Sequence, residues 1–303
     1  MSLILPLSPL HLPSLLLSRL PPDETWSRDR LADAPRSAVK AALHHVRPFR
    51  WQAWVAMRGP WVSGLIGASY LGYHTWEISA LSAVDGDEAL FLLGWACRHL
   101  AMGGGQRLLM RLQAESPLEP VAHKAGFLAL GCEDLYLLSE TEGIGGLEPL
   151  APLTPLQLHQ AFQLYIASAP SWVRALEGPT LGQWRASFRG LGRGQDLGLW
   201  HKGQLLAWVR LWPGAKGTVA MALLHPSAQG RAKEVAARAL QRCQRQPVYF
   251  LVPSYQQGLA AALEGEGFPL LRRFVNFLRP LAQLAPAVSE TASHQVRGWA
   301  PIQ

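Results

Sequence analysis

The sequence contains an internal repeat, which limits the fold to two copies of one unit in tandem. When Phe127 is placed over Phe268, 141 positions later, residues 76–137 align with residues 217–278 without a gap. Both stretches show the same order of apolar strand, helix, strand, short helix ending at a Gly-Phe pair, and last strand. The 303 residues therefore divide into two units, each long enough to bury its own core.

The second unit carries a turn suited to phosphate. A buried strand over residues 218–224 leads into a polar turn and then a helix. A helix N-terminus presents unpaired backbone N–H groups and a partial positive charge, so it attracts anions. Gly230 and Ala232 would let a phosphate approach the backbone, and Arg231 and Lys233 add positive charge. The alternative is an ordinary strand-turn-helix in which the glycine serves only the turn.

This order of elements resembles the acetyl-CoA-binding half of the GNAT acetyltransferase family, in which a Gln/Arg-x-x-Gly-x-Gly/Ala segment opens the helix. Gln229 matches the first position, Ala232 is a small substitute at the second, and Glu234 departs from the third. Gly267-Phe268 fits the family's usual end to its second helix. The resemblance implies an α/β (α+β) fold of two tandem GNAT-like domains. Each would have a mixed central sheet flanked by helices and splayed between its two central strands.

We expect the N-terminal GNAT-like domain to span residues 1–140 and the C-terminal one residues 147–283, with a flexible tail over 284–303. The glycine-rich stretch from Ser139 to Gly146 is the predicted linker. In the first copy Glu88 stands where Gln229 stands in the second. Carboxylates cap a helix well but repel a pyrophosphate. The first copy is therefore expected to be degenerate, and the second to be the acyl-CoA site.

The resemblance also implies particular site residues. The pantetheine arm would lie between the strands over 218–224 and 248–252, pairing with backbone groups of Leu223 and Leu224. The pyrophosphate would lie on the turn made by Gln229, Gly230, Arg231, Ala232 and Lys233.

The family's general acid, a tyrosine four residues before the Gly of the Gly-Phe pair, is missing. Leu263 occupies that position in the second copy and Ala122 in the first. Tyr255, after the second central strand, is the candidate substitute, and His225 is a candidate base. Aromatic packing and a turn role are the alternatives for these two residues.

The resemblance implies transfer of acetyl from acetyl-CoA, as cosubstrate, to an amine of a small molecule or peptide that the sequence does not identify. The alternative is a catalytically inactive GNAT-like scaffold or acyl-CoA-binding module, which the missing tyrosine and degenerate glycines favour. The net charge of +7 favours anionic partners. A nucleic-acid partner is not expected, because the sequence has no recognised reading motif.

Metal and membrane partners are not expected either. The three cysteines are scattered without a CxxC pair, and the ten histidines lack ligand spacing. No run of about 18 apolar residues is present. The apolar N-terminus contains Pro6, Pro9 and Pro13 and has no basic segment before it. We therefore expect a cytoplasmic protein, and its oligomeric state is left open.

Overall fold

The described residues form one mixed sheet of 12 strands with helices on both faces. The computed structural model describes residues 2–27, 30–31, 37–45, 51–138, 149–188, 194–214, 216–243 and 245–281. The strands are β1 (Leu3–Pro6), β2 (Trp51–Arg58), β3 (Trp61–Gly72), β4 (Thr75–Ala83), β5 (Arg107–Gln113), β6 (Leu128–Leu138), β7 (Ala151–Pro152), β8 (Gln195–His201), β9 (Gln204–Gly214), β10 (Gly217–Leu224), β11 (Val248–Pro253) and β12 (Leu270–Pro280).

The helices are α1 (Leu12–Leu17), α2 (Ala38–His45), α3 (Gly86–Met102), α4 (Glu119–Lys124), α5 (Leu158–Ser168), α6 (Ser171–Glu177), α7 (Leu181–Ala186), α8 (Ala232–Gln241) and α9 (Gln257–Gly265). Short 3-10 helices cover Pro9–His11, Pro155–Gln157 and Pro226–Arg231. Helix α6 was not predicted. The sequence predicts that the helix after the phosphate turn continues to about Gln244, but α8 ends at Gln241, where the backbone N–H of Arg242 bonds back to Ala239 O. The predicted linker lies outside the described residues, as does the tail.

The strand order is β1-β2-β3-β4-β5-β12-β6-β11-β10-β9-β8-β7. In each half an antiparallel meander leads to two parallel central strands, β4 with β5 and β10 with β11. Arg107 and Val248 begin equivalent strands 141 positions apart, whereas their parallel partners, Thr75 and Thr218, are 143 apart. The repeat is therefore real in three dimensions, with a two-residue shift between strands. The predicted fold class is confirmed.

The last strand of each repeat unit pairs with the other half of the molecule. Strand β12, from the second unit, pairs with β5 of the first, with Phe277 opposite Met110. Strand β6, from the first unit, pairs with β11 of the second, with Tyr136 opposite Phe250. The two exchanged strands also pair with each other. Because each half completes its sheet with a strand from the other, the two units form one continuous sheet.

The sheet separates two layers of core. Side chains alternate along β10, so Val219, Met221 and Leu223 point to one face and Ala220, Ala222 and Leu224 to the other. Helices α3, α4, α8 and α9 cover the second face, and α1, α2, α5 and α7 cover the first. Among the described residues, no helix has both the length and the apolar content needed to cross a membrane.

Candidate functional site

The central strands of the C-terminal half diverge and leave an opening between them. Strands β10 and β11 pair in parallel from Thr218–Val248 to Met221–Leu251. Beyond that pair β10 continues to Leu224 and β11 to Pro253 without pairing to each other. The N-terminal half diverges in the same way beyond Ile78–Met110. These two openings confirm the predicted splay of each sheet.

In the N-terminal half the opening is filled by the chain itself, over residues 23–26. Asp23 Oδ1 accepts a hydrogen bond from Leu81 N of β4 at 3.0 Å. On the other side, Trp26 N donates to Arg111 O of β5 at 2.9 Å. This segment therefore bridges the two diverging strands, bonding to backbone groups that an extended ligand would otherwise use.

Asp23 holds this segment in place through several bonds. Its Oδ1 also accepts from the backbone N–H of Thr25 at 3.0 Å and from Thr25 Oγ1 at 2.7 Å. Its Oδ2 accepts from Arg30 Nη1 at 3.0 Å, and that same nitrogen donates to Ser79 O. Asp23 is fully buried and Arg30 is 2% exposed. The sequence predicts a loop with a helical turn from Asp23 to Arg36. It does not predict this bridging role, because the partners on β4 lie 49 and 58 positions further along the chain.

In the N-terminal half, the carboxylates of Asp85 and Glu88 bind groups of the protein at the turn before α3. Asp85 caps α3 by accepting from Glu88 N at 2.8 Å, and this bond holds the Asp85 pKa below its usual value. Glu88 is buried and lies 2.6 Å from the guanidinium of Arg58. The assignment of the acyl-CoA site to the second copy remains a prediction.

In the C-terminal half, the turn after β10 is a 3-10 helix rather than the start of an α-helix. His225 caps it, because its Nδ1 accepts from Ser227 N at 3.2 Å and its backbone oxygen accepts from Ala228 N at 2.8 Å. Helix α8 begins only at Ala232. The predicted phosphate turn, residues 229–233, thus spans the junction between the two helices.

The two cationic side chains of this turn are bound to carboxylates. Arg231 forms a two-point pair with Glu234, at 2.7 and 2.8 Å, and this pair lowers the pKa of Glu234. Glu234 also lies 2.6 Å from Arg238. Lys233 lies 2.5 Å from Glu266, but its side chain is 72% exposed. Both pairs are at the surface, so an arriving phosphate competes with weak interactions.

The end of β10 is bonded to a buried glutamine. Gln256 Oε1 accepts from Leu224 N at 3.1 Å, and Gln256 Nε2 approaches Leu224 O at 3.4 Å. Gln229 Nε2 donates to the same Oε1 at 3.3 Å. His225 N bonds to Leu206 O of β9, so by alternation the backbone groups of Leu223 also face β9. Of the two predicted partners of pantetheine, only Leu224 therefore faces the opening.

A cavity of about 40 Å³ lies beside the opening, on the α5 and α7 face. It is lined by Leu130, Gly131, Cys132, Glu133, Tyr165, Val173, Glu177, Trp184, Phe188, Met221, Leu223, Pro253, Ser254, Tyr255 and Asn276. The structure thus brings Tyr255 and the side chain of Leu223 together, whereas His225 does not line the cavity. Sequence reasoning missed Glu133, Glu177 and Gln256, which lie on separate elements without a local motif.

Many solved structures resemble this chain, and three of them match over nearly its full length. A GCN5-related N-acetyltransferase from Sphaerobacter thermophilus is 12% identical, with a TM-score of 0.55 over 92% of this chain and 96% of that one. A tandem GNAT protein from the clavulanic acid biosynthesis pathway is 16% identical, with a TM-score of 0.50 over 94% and 100%. A GCN5-related N-acetyltransferase from Anabaena variabilis is 13% identical, with a TM-score of 0.50 over 93% and 73%.

The chain has a tandem GNAT fold. The match to a tandem GNAT protein over its full length also supports the interpretation of the sequence as a repeat. No protein-family model and no curated protein matches the sequence. At these identities the likeness establishes the architecture of the chain, and its activity has to be inferred from its own residues.

Within this GNAT fold, the position at which the resemblance predicts a tyrosine is part of the core. Leu263 is fully buried against α8, and Ala122 is fully buried in the N-terminal half. Burial raises the pKa of the Cys243 thiol to about 12 and also raises the pKa of Cys97 and Cys132. These thiols are protonated near neutral pH, so a cysteine nucleophile is not favoured. The described residues contain no cluster of three or more metal-ligating side chains.

Proposed function

We propose that the C-terminal half binds an acyl-coenzyme A and that the protein transfers acetyl from acetyl-CoA to an amine. The observation that carries this proposal is the opening between β10 and β11, which has a polar turn at one end and a cavity beside it. An extended pantetheine arm fits such an opening because unpaired strand edges offer backbone hydrogen bonds. The arm would thus deliver its thioester to the cavity.

The transfer requires a nucleophile and two proton movements. The nitrogen of a neutral amine attacks the thioester carbonyl, a C–N bond forms and the C–S bond breaks. The nitrogen gives up one proton and the leaving thiolate takes one, so the products are an amide and free coenzyme A. Tyr255 lines the cavity and is the proposed general acid for the thiolate. His225 is held at the turn by Ser227, so a base role for His225 would require an intervening water.

Pyrophosphate recognition is proposed for the turn of Gln229, Gly230, Arg231, Ala232 and Lys233. Here Arg231 would exchange its contact with Glu234 for a phosphate oxygen. Leu224 would accept the pantetheine arm in place of Gln256.

A catalytically inactive scaffold or acyl-CoA-binding module is the second candidate. The ion pairs at the turn favour this candidate, because Arg231 and Lys233 already contact carboxylates. Leu263 and Ala122 also leave both copies without the hydroxyl that the resemblance predicts. As a binding module, the C-terminal half would still bind coenzyme A. As a scaffold, it would keep the fold without binding coenzyme A.

Two measurements on the full chain separate these candidates. Titration calorimetry with coenzyme A is expected to show one saturable site. Release of free thiol from acetyl-CoA is then measured over a panel of amines, with a no-amine control for hydrolysis. Amine-dependent thiol release supports the transferase. Binding without release for any amine would favour the binding module, and no binding at all would leave a scaffold.

A further inference from the structure

The cavity beside the opening has an aromatic wall. Four of its lining residues carry rings, which are Tyr165, Trp184, Phe188 and Tyr255. The Trp184 ring lies 5.8 Å from Tyr165 and packs edge-on against Phe188 at 5.1 Å between centroids. These contacts fix three rings relative to one another. The wall is therefore preorganised rather than assembled around a ligand.

Two carboxylates line the same cavity, and none of its described lining residues has a basic side chain. The two carboxylates are those of Glu133 and Glu177, and the lining residues that the structure describes include no Lys, Arg or His. Glu133 is 3% exposed and is bound by Arg111 at 3.0 Å, from the adjoining cavity. Tyr165 donates to Glu177 Oε2 at 3.4 Å, and Arg107 donates to the backbone oxygen of Glu177. Arg111 and Arg107 reduce the negative charge, yet the described side chains that line the cavity are all acidic or neutral.

Aromatic faces combined with carboxylates form the chemistry that recognises an organic cation. The negative face of each ring attracts a positive charge, and the attraction grows when the charge is removed from water. We infer that this cavity binds the ammonium group of an aliphatic amine, with its charge at Glu177 and its first carbons against the rings. The inference rests on the proposed function and deepens it, because the bound cation, once it has given one proton to a base or to water, is the neutral amine that accepts the acyl group.

The size of the cavity restricts the cation further. A volume of about 40 Å³ has room for roughly three water molecules. An ammonium group and one or two methylene groups fill that space, whereas a branched or quaternary head has a larger volume than the cavity offers. The ligand class is thus a primary, unbranched alkylammonium whose chain leaves through the mouth of the cavity.

The test measures binding without any coenzyme A, so that it does not depend on acyl transfer. The full chain is titrated by calorimetry with n-butylammonium and, separately, with butan-1-ol, a neutral molecule of nearly the same shape. The ammonium is expected to bind saturably and at least tenfold more tightly than the alcohol. Equal affinities, or saturable binding of neither probe, would overturn the inference even if coenzyme A binds elsewhere in the opening.

Matched variants locate the site. Glu177→Gln is expected to weaken n-butylammonium at least tenfold, whereas Asp87→Asn, which removes an exposed carboxylate on the opposite face, leaves it unchanged. Tyr255→Phe keeps the ring and should retain the affinity, and Tyr255→Leu should lose most of it. If Glu177→Gln unfolds, the Tyr255 pair decides the question. Equal affinities for the two Tyr255 variants, or a loss with Asp87→Asn equal to that with Glu177→Gln, would refute the assignment.

Discussion

Gln256 offers a direct test of where the pantetheine arm lies. Its amide occupies both backbone groups of Leu224, at 3.1 Å to the nitrogen and 3.4 Å to the oxygen. If the arm pairs with Leu224, it has to displace this amide before binding. Removing the amide by Gln256→Ala should then make coenzyme A bind more tightly, although the same change weakens the unliganded protein.

The size of this effect follows from the geometry. Only the bond from Leu224 N has ordinary length, and the other contacts of the Gln256 amide, at 3.3 and 3.4 Å, are long. The net value of one such hydrogen bond is about 0.5–1.5 kcal/mol. Since about 1.4 kcal/mol corresponds to a tenfold change, we expect coenzyme A to bind about 2- to 12-fold more tightly. In the unliganded protein, loss of the same bond should reduce the free energy of unfolding by a similar amount, about 0.5–1.5 kcal/mol.

The assay is titration calorimetry with coenzyme A, combined with urea unfolding of the unliganded protein. Gln257→Ala is the matched control, because Gln257 is the exposed neighbour at the start of α9. Its affinity should equal that of the original chain. An unchanged affinity in Gln256→Ala would show that the arm does not use Leu224. A loss of more than tenfold would show that Gln256 holds the cofactor instead of competing with it.

Two further predictions concern charge. Asp23→Ala leaves the buried Arg30 without its carboxylate and should lower the free energy of unfolding by about 3–5 kcal/mol in urea. The control Glu266→Ala breaks the exposed pair with Lys233 and should cost about 1 kcal/mol or less, so similar losses would contradict the buried role of Asp23. Arg231→Glu should weaken coenzyme A at least tenfold in calorimetry, by about 1.4 kcal/mol or more. Arg242→Glu, beyond the end of α8, should have a much smaller effect because salt screens distant charges, and equal losses would mean that only net charge matters.

The order of strands and helices could be predicted because each apolar run signals its own element. The segments 218–224 and 248–252 are buried almost throughout, and such continuous apolar runs are typical of central parallel strands. The exchange of β6 and β12 could not be predicted in the same way. Both strands are equivalent in the repeat, so either could complete either half, and the choice depends on contacts between distant segments.

The sequence could suggest site residues only where they are close together along the chain. The turn from Gln229 to Lys233 follows one strand, so a short motif pointed to it, and its role in binding pyrophosphate stays a prediction. Gln256 is fully buried, although glutamine is ordinarily an exposed residue. The segment over 23–26 contains only polar residues and one tryptophan. Its role depends on β4 and β5, which begin about 50 and about 80 positions later. The residues that line the aromatic and acidic cavity lie on many separate elements, so no local sequence pattern predicts the cavity.

Because the two units exchange strands, the C-terminal unit lacks sheet neighbours when it is produced as an isolated fragment. A fragment of residues 147–283 contains β12 but not β5 or β6, its two neighbours in the sheet. It also contains β11, whose six residues are all buried, and whose edge would be exposed without β6. An exposed apolar edge pairs readily with another strand. Because β6 and β12 are equivalent in the repeat, a second copy of the fragment can supply the missing neighbour by donating its own β12.

We therefore predict that this fragment forms a dimer in which two copies exchange β12, with a true two-fold axis where the full chain has an approximate one. Light scattering after size exclusion should give twice the fragment mass, and calorimetry tests our expectation that the dimer keeps whatever coenzyme A affinity the full chain has. The full chain measured at the same concentration is the control. A folded monomeric fragment would contradict the exchange, because β12 would then have turned back onto β11. Loss of coenzyme A affinity in a folded dimer would mean that the N-terminal half contributes to the site directly.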